Sequence, residues 1–232
     1  MEHLIELRDV YKIYPMGSEQ VHALDGISLT IDRGEFVAIV GQSGSGKSTM
    51  MNVLGCLDIP TYGEYWLDGQ NVRELTDKQL SHIRNKQIGF IFQGYNLIPE
   101  LTALENVELP LIYQGIGPGK RQELAQRALE RVGLGSRGGH RPSEMSGGQQ
   151  QRVAIARAIS TSPPIIMADE PTGALDSKTG QEVLAFLQQL NREGSTVILI
   201  THDNGIAATA RRIVRVSDGK IVEDHAQEVD WL

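Results

Sequence analysis

The chain has 232 residues, 40% hydrophobic and 22% charged, with a net charge of −7 at neutral pH. That length supports one large domain with a self-sufficient core, and the acidic balance gives no basic footprint for nucleic acid. No apolar run approaches the roughly 18 residues that cross a bilayer, and the opening Met1-Glu-His-Leu-Ile-Glu-Leu-Arg lacks a signal-peptide layout. These features lead us to expect a protein of the cytoplasmic side.

In chain order, residues 4–40 read as short strands, with Ile27, Leu29 and Ile31 alternating with Ser28, Thr30 and Asp32. The apolar run Phe36-Val-Ala-Ile-Val40 is of strand length. Gly41, Gln42, Ser43, Gly44, Ser45, Gly46, Lys47, Ser48 and Thr49 follow it, and Met50 to Leu54 can continue as a helix. In this strand–loop–helix setting the pattern G-x-x-x-x-G-K-[ST] cradles nucleotide phosphates. The glycines let backbone N–H groups turn onto an anion, and the helix start adds its positive end. Lys47 can reach the β- and γ-phosphates, and the Ser48 hydroxyl can ligate Mg²⁺. The residues therefore imply a nucleoside triphosphate site. The lone cysteine, Cys56, cannot form an internal disulfide and reads as a buried small side chain within Val53 to Leu57.

Gly63 to Asp68 and Gln87 to Phe92 read as two further strands, the second ending at Gln93. From about 100 to 160 the pattern turns helical. Thr102 is a good N-cap for Ala103 to Leu109, and Lys120 to Val132 has apolar residues at helical spacing. Gly115 to Gly119 and Gly133 to Pro142 read as connectors. Met145-Ser146-Gly147-Gly148-Gln149-Gln150 then opens an amphipathic helix, Gln151 to Ile159. Ser146 can simply cap that helix, or its start can serve as a second anion site with nothing blocking close approach.

The run Ile165-Ile-Met-Ala-Asp169-Glu170 places two carboxylates at the end of a buried strand, where ligands gather in open α/β sheets. Asp169 can hold Mg²⁺ and Glu170 can polarise a water for attack on phosphorus. A helix at about Ser177 to Asn191, a buried strand from Thr196 to Thr201, and a hairpin from Arg212 to Val222 turning at Asp218-Gly219 complete the pattern.

Ser146-Gly147-Gly148-Gln149, taken with the phosphate loop and Asp169-Glu170, resembles the signature of ATP-binding cassette (ABC) ATPases. The resemblance covers essentially the whole chain. It implies an α/β fold, with a P-loop NTPase (RecA-like) core, an antiparallel β subdomain and an inserted α-helical subdomain. One nucleotide-binding domain, residues 1–232, would place its β subdomain and catalytic core in about 1–93 and 161–232. The helical subdomain would occupy about 94–160. Gln93 matches the family glutamine that contacts Mg²⁺ and the attacking water, and Asp176 matches the family aspartate within Ala174-Leu175-Asp176. His202 matches the histidine that faces the γ-phosphate. Tyr14 aligns with the aromatic that stacks on adenine, with Tyr11 a nearby competitor. Met145 stands where the family usually has Leu.

The resemblance also implies ATP and Mg²⁺ as ligands. It implies a head-to-tail homodimer in which Ser146, Gly147 and Gly148 of one copy close on the γ-phosphate held by the other. Gly55 to Pro60, Phe92 to Pro99 and Ala168 to Asp176 look most like the bacterial MacB/LolD type. That type implies a polytopic transmembrane partner, or a fused membrane domain, and a place on the cytoplasmic face of the inner membrane. Tyr95, Leu97, Ile98 and Leu101 are candidate docking contacts for that partner, or else helix-packing core. A soluble ABC ATPase acting on DNA or ribosomes is the alternative, but the sequence has no sustained heptads and only one motif set. A P-loop kinase would leave Ser146 to Gln149 and His202 without a function.

Overall fold

The computed structural model describes residues 3–17 and 19–229. It opens with two long antiparallel strands, β1 (Ile5–Met16) and β2 (Glu19–Ile31). Ile27, Leu29 and Ile31 face inward while Ser28 and Asp32 are exposed, as their alternation predicts. Next, β3 (Phe36–Val40) is buried at every position, which a strand covered on both faces requires. The loop after it leads into α1 (Lys47–Leu54), which buries Met50, Met51, Val53 and Leu54. With β4 (Tyr62–Leu67) and β5 (Gln70–Asn71) the first sheet is complete, in the order β2-β1-β4-β5.

A helix that the apolar pattern does not announce, α2 (Asp77–Gln87), buries only Leu80 and Ile83. Its start is fixed by polar chemistry instead. The Thr76 side chain accepts from Gln79 N while the Gln79 side chain accepts from Thr76 N, a reciprocal capping box. After β6 (Ile88–Phe92) come α3 (Ala103–Tyr113), α4 (Pro118–Arg131) and α5 (Gly147–Ile159). The capping box of Thr102 and Glu105 starts α3. The start of α4 lies at Pro118 rather than Lys120, because proline at the first helical position lacks only an N–H that is unpaired there anyway.

The remainder is β7 (Ile165–Asp169), α6 (Ser177–Arg192), β8 (Thr196–Thr201), α7 (Asn204–Ala207), β9 (Arg212–Ser217) and β10 (Lys220–Ala226). Asp218 and Gly219 turn the hairpin with φ of 48° and 75°, the left-handed pair that an Asp-Gly turn favours. The second sheet runs β10-β9-β3-β8-β7-β6, parallel throughout except for the antiparallel edge strand β10.

Successive side chains of a strand point to opposite faces, so this sheet divides two cores. Phe36, Ala38, Val40, Ile166, Ala168, Val197 and Leu199 pack with α3 to α6. Val37, Ile39, Ile165, Met167, Ile198 and Ile200 pack with α1, β1, β2 and β4. The helices between residues 94 and 160 thus share an apolar cluster with one face of the sheet. Met145 lies in that cluster, 8% exposed, as a volume-conserving stand-in for Leu should. Because β3, β8 and β7 are adjacent and parallel, their carboxyl ends emerge on one edge of the sheet.

Candidate active site

Three loops meet at that edge. After β3 the chain runs through Gly41 to Gly46 with little room to spare. A Cβ on Gly41 would stand 2.3 Å from the Val216 carbonyl, and one on Gly46, whose φ is 105°, would stand 2.5 Å from the Ala23 carbonyl. The loop is therefore wedged against β9 and β2, and only glycine fits both places. It delivers α1 with no side-chain cap on Gly46 and no acidic residue in the first turn. By contrast α2, α3, α5 and α6 are each capped by a side chain. Lys47 folds back so that its Nζ donates to Gly41 O at 2.6 Å and Gln42 O at 2.7 Å. Burial lowers its pKa, opposed by the charges of Glu170 and Asp169. The Ser45 hydroxyl is buried without a partner among the described residues. An open positive helix end, a cation and a spare hydroxyl on one loop fit an anionic phosphate chain.

At the end of β7, Asp169 is pushed up by burial and then by neighbouring Glu170, with Lys47 opposing. Glu170 is held at a φ of 43° by Glu170 N donating to Ile200 O at 2.9 Å. Its carboxylate accepts from Thr201 Oγ1 at 3.0 Å and from His202 N at 2.8 Å, and meets His202 Nδ1 at 2.5 Å. The Glu170 side chain is 15% exposed and the His202 ring 70%, so the histidine lies on the open side of the pair. Such a carboxylate is oriented and can work as a general base for water. Lys47, Asp169, Glu170 and His202 are thus brought together, and Thr201 joins them without a sequence motif of its own. Ser48 is exposed, and hydroxyl and carboxylate oxygens such as those of Ser48 and Asp169 are the ligand types that suit Mg²⁺, which usually keeps waters and substrate phosphates as its other ligands.

Gln93, exposed at the end of β6, lies against the loop after Glu170: a Cβ on Gly173 would stand 2.7 Å from its Nε2. Tyr14 approaches the phosphate loop, with Thr49 acting on its hydroxyl. That hydroxyl donates to Asp58 Oδ2 at 2.8 Å, and Lys12 Nζ both donates to Asp58 Oδ1 at 2.5 Å and sits 5.1 Å from the Tyr14 ring centre. Tyr11 instead turns its hydroxyl towards Gly26. Cys56 is buried and its thiol is pushed up to about 11 by burial, an inert group.

Ser146, Gly147, Gly148 and Gln149 are in different company. Ser146 Oγ accepts from Gln149 N at 3.3 Å, and Gln149 Oε1 accepts from Ser146 N at 3.0 Å. The start of α5 is thus partly closed by its own capping box, so fewer N–H groups are free there than the sequence suggests. A Cβ on Gly147 would meet the Tyr95 hydroxyl at 2.8 Å, and one on Gly148 would meet Thr179 at 2.6 Å. Asp176 caps α6 by accepting from Thr179 N at 3.0 Å and Thr179 Oγ1 at 2.7 Å. The signature residues therefore lie against the Gln93 loop and α6.

Behind the Gln93 loop lies a groove of about 720 Å³, floored by Leu57, Phe90, Phe92, Leu109, Pro110 and Tyr113. Its lining includes Asn96 but not the side chains of Tyr95, Leu97, Ile98 or Leu101, of which Ile98 is 41% exposed. Tyr95 faces Gly147 and Leu97 packs on the core, while Asn106 ties down Ile98 and Leu101 through their backbone groups.

The sequence profile of the ABC transporter family matches residues 24–173. The chain belongs to that family. Among ABC relatives, it is 55% identical over 221 residues to the macrolide export ATP-binding/permease protein MacB of Hyphomonas neptunium, covering 95% of this chain and 34% of MacB. It is 57% identical over 226 residues to the pyoverdine export ATP-binding/permease protein PvdT of Pseudomonas fluorescens, covering 97% of this chain and 34% of PvdT. The chain spans about a third of the length of those two relatives. It is also 54% identical to the uncharacterized ABC transporter ATP-binding protein YknY of Bacillus subtilis, covering 94% of this chain and 95% of YknY. The dimeric ATP-binding cassette MJ0796, in a post-hydrolysis state bound to ADP and Pi, superposes with a TM-score of 0.90 at 48% identity, covering 97% of this chain and 100% of that one. The ABC cassette fold expected from sequence is the fold observed. Among the described residues, no helix is long and apolar enough to cross a membrane.

Proposed function

We propose that this chain is the ATP-binding and ATP-hydrolysing part of an export-type ABC transporter, working as an ATP-bridged homodimer against a polytopic membrane partner. The observation that carries the reading is the meeting of the uncapped glycine loop and Lys47 with Asp169, Glu170 and His202 at adjacent strand ends. The backbone of Gly41 to Thr49 and the Lys47 ammonium would hold the phosphates, with Tyr14 against the adenine. Ser48, Asp169 and Gln93 would hold Mg²⁺, which when bound neutralises charge on the β- and γ-oxygens. Glu170 takes the proton side of an attacking water, kept in register by Thr201 and His202, and His202 itself faces the γ-phosphate. Ser146, Gly147, Gly148, Gln149 and Asp176 serve the second copy's nucleotide.

Residues of about 94–160 act in this reading as a helical arm on a core formed by the rest of the chain. The apolar groove beside that arm receives an element of the membrane partner, and the protein then works at the cytoplasmic face of the inner membrane. MacB and PvdT, by their names, join ATP-binding and permease parts in one protein, which supports a membrane partner or a fused membrane domain here. A Glu170→Gln chain keeps the shape of the site but loses its base. Light scattering should show it accumulating as a dimer in saturating ATP and Mg²⁺; a monomer under those conditions would overturn the shared-site reading.

A further inference from the structure

Arg157 stands in the last turn of α5, and none of the roles above uses it. Burial pushes the pKa of its guanidinium down from the ordinary value, yet among the described residues no carboxylate pairs with it. A half-buried charge still needs other partners, and here it finds two backbone carbonyls. Arg157 Nη2 donates to Tyr95 O at 2.9 Å and Nη1 donates to Asn96 O. Tyr95 and Asn96 are consecutive non-glycine residues in left-handed backbone, with φ of 60° and 50°, a conformation that asparagine adopts readily but that a tyrosine holds only where the surroundings impose it. The ring of Tyr95 reaches the other end of the same helix, with its hydroxyl against Gly147. The loop that begins at Gln93 is therefore fastened to α5 near both ends, and Asn96 and Arg157 also line the groove beside Phe92.

We infer that Arg157 and Tyr95 are positioning residues that lock the Gln93 loop to the signature helix. Through them, Gln93 in a chain's own site and Ser146 to Gly148 facing the second copy's nucleotide move as one body. The inference rests on the shared-site reading above. The planar fork of arginine suits two neighbouring carbonyls, whereas a lysine is a single point charge on a flexible stem.

The test uses Arg157→Met, Arg157→Lys and Tyr95→Phe in the full chain, alone and combined with Glu170→Gln. Arg157→Met should raise the ATP concentration for half-maximal dimerisation about tenfold and lower kcat about tenfold, the scale of one lost charged hydrogen bond. Affinity of the monomer for a fluorescent ATP analogue, measured at nanomolar protein, should stay within about twofold. Arg157→Lys should fall between Arg157→Met and the parent, and Tyr95→Phe should shift dimerisation the same way by less. If Arg157→Met fails to fold, Arg157→Lys and Tyr95→Phe decide. Parental dimerisation and kcat in the folded variants would overturn the inference, as would a parallel loss of monomer nucleotide affinity. Failure of Glu170→Gln alone to dimerise overturns the shared site and this coupling together. Its success with unaffected Arg157 variants overturns only the coupling.

Discussion

Burial sets Asp169 against the fold: desolvation pushes its carboxyl above the usual range, Glu170 adds to the push, and Lys47 opposes it. The folded state thus holds that proton more tightly than the unfolded chain. Its contribution to stability is full below the unfolded pKa of about 3.9 and is lost as pH rises through the higher folded value. Asp169→Asn should accordingly raise the melting temperature of the nucleotide-free protein at about pH 7.5 by roughly 1–3 °C, and the gain should vanish near about pH 4. Thermal scans at the two pH values check this, and a lower melting temperature at the higher pH would contradict it. The same variant should lose Mg²⁺-dependent turnover, so that stability and activity move in opposite directions, as at a site where function maintains a buried charge. Glu170 differs in its surroundings: its burial is answered by Thr201 Oγ1 and by two contacts with His202.

Several elements are set by polar ends more than by apolar faces. The Thr102 side chain accepts from Glu105 N, and the Glu105 carboxylate accepts from both the backbone and the hydroxyl of Thr102. Those bonds hold the Glu105 carboxyl below its usual range, led by the bond from the Thr102 backbone. Thr102→Ala removes the hydroxyl side of this box and should cost about 1 kcal/mol, read as a fall of about 2–4 °C in melting temperature. Because the lowered carboxyl pKa supports the fold only above its unfolded value, the deficit should shrink as pH falls through the folded one. An unchanged melting temperature at neutral pH would show that α3 is held by packing alone. The same chemistry explains why α2 escapes an apolar reading: with only Leu80 and Ile83 buried, Thr76 and Gln79 are its sequence signal.

At the scale of the molecule, the phosphate loop and the signature helix of one chain serve different nucleotides in the proposed dimer, so a lone copy lacks a complete site. Specific ATPase activity should therefore rise steeply with protein concentration and tend to zero on dilution. Activity per mole that stays constant across a hundredfold dilution, about 100-fold below the midpoint included, would contradict this. The two-core arrangement fits that division of labour. One face of the sheet carries α1 and its open N-terminus, while the other carries the helices that present Ser146 to Gln149. Within this layout Arg157 and Tyr95 provide a continuous physical route from the groove to both candidate half-sites.

The sequence alone determined the pieces whose chemistry lies between near neighbours in the chain: the Gly41 to Thr49 loop, the Asp169-Glu170 pair at a strand end, the Ser146 and Thr102 caps, and the Asp218-Gly219 turn. Each depends on a few consecutive residues, so its pattern survives without the fold. Tertiary structure alone decided what depends on distant partners. Asp58 reaches the Tyr14 hydroxyl across 44 residues of chain, Thr201 reaches Glu170 across 31, and Arg157 reaches Tyr95 across 62. The groove joins Leu57 to Tyr113 and Arg157, residues far apart in the chain that only packing brings together. Backbone periodicity records which face a residue shows, but only packing brings those faces together.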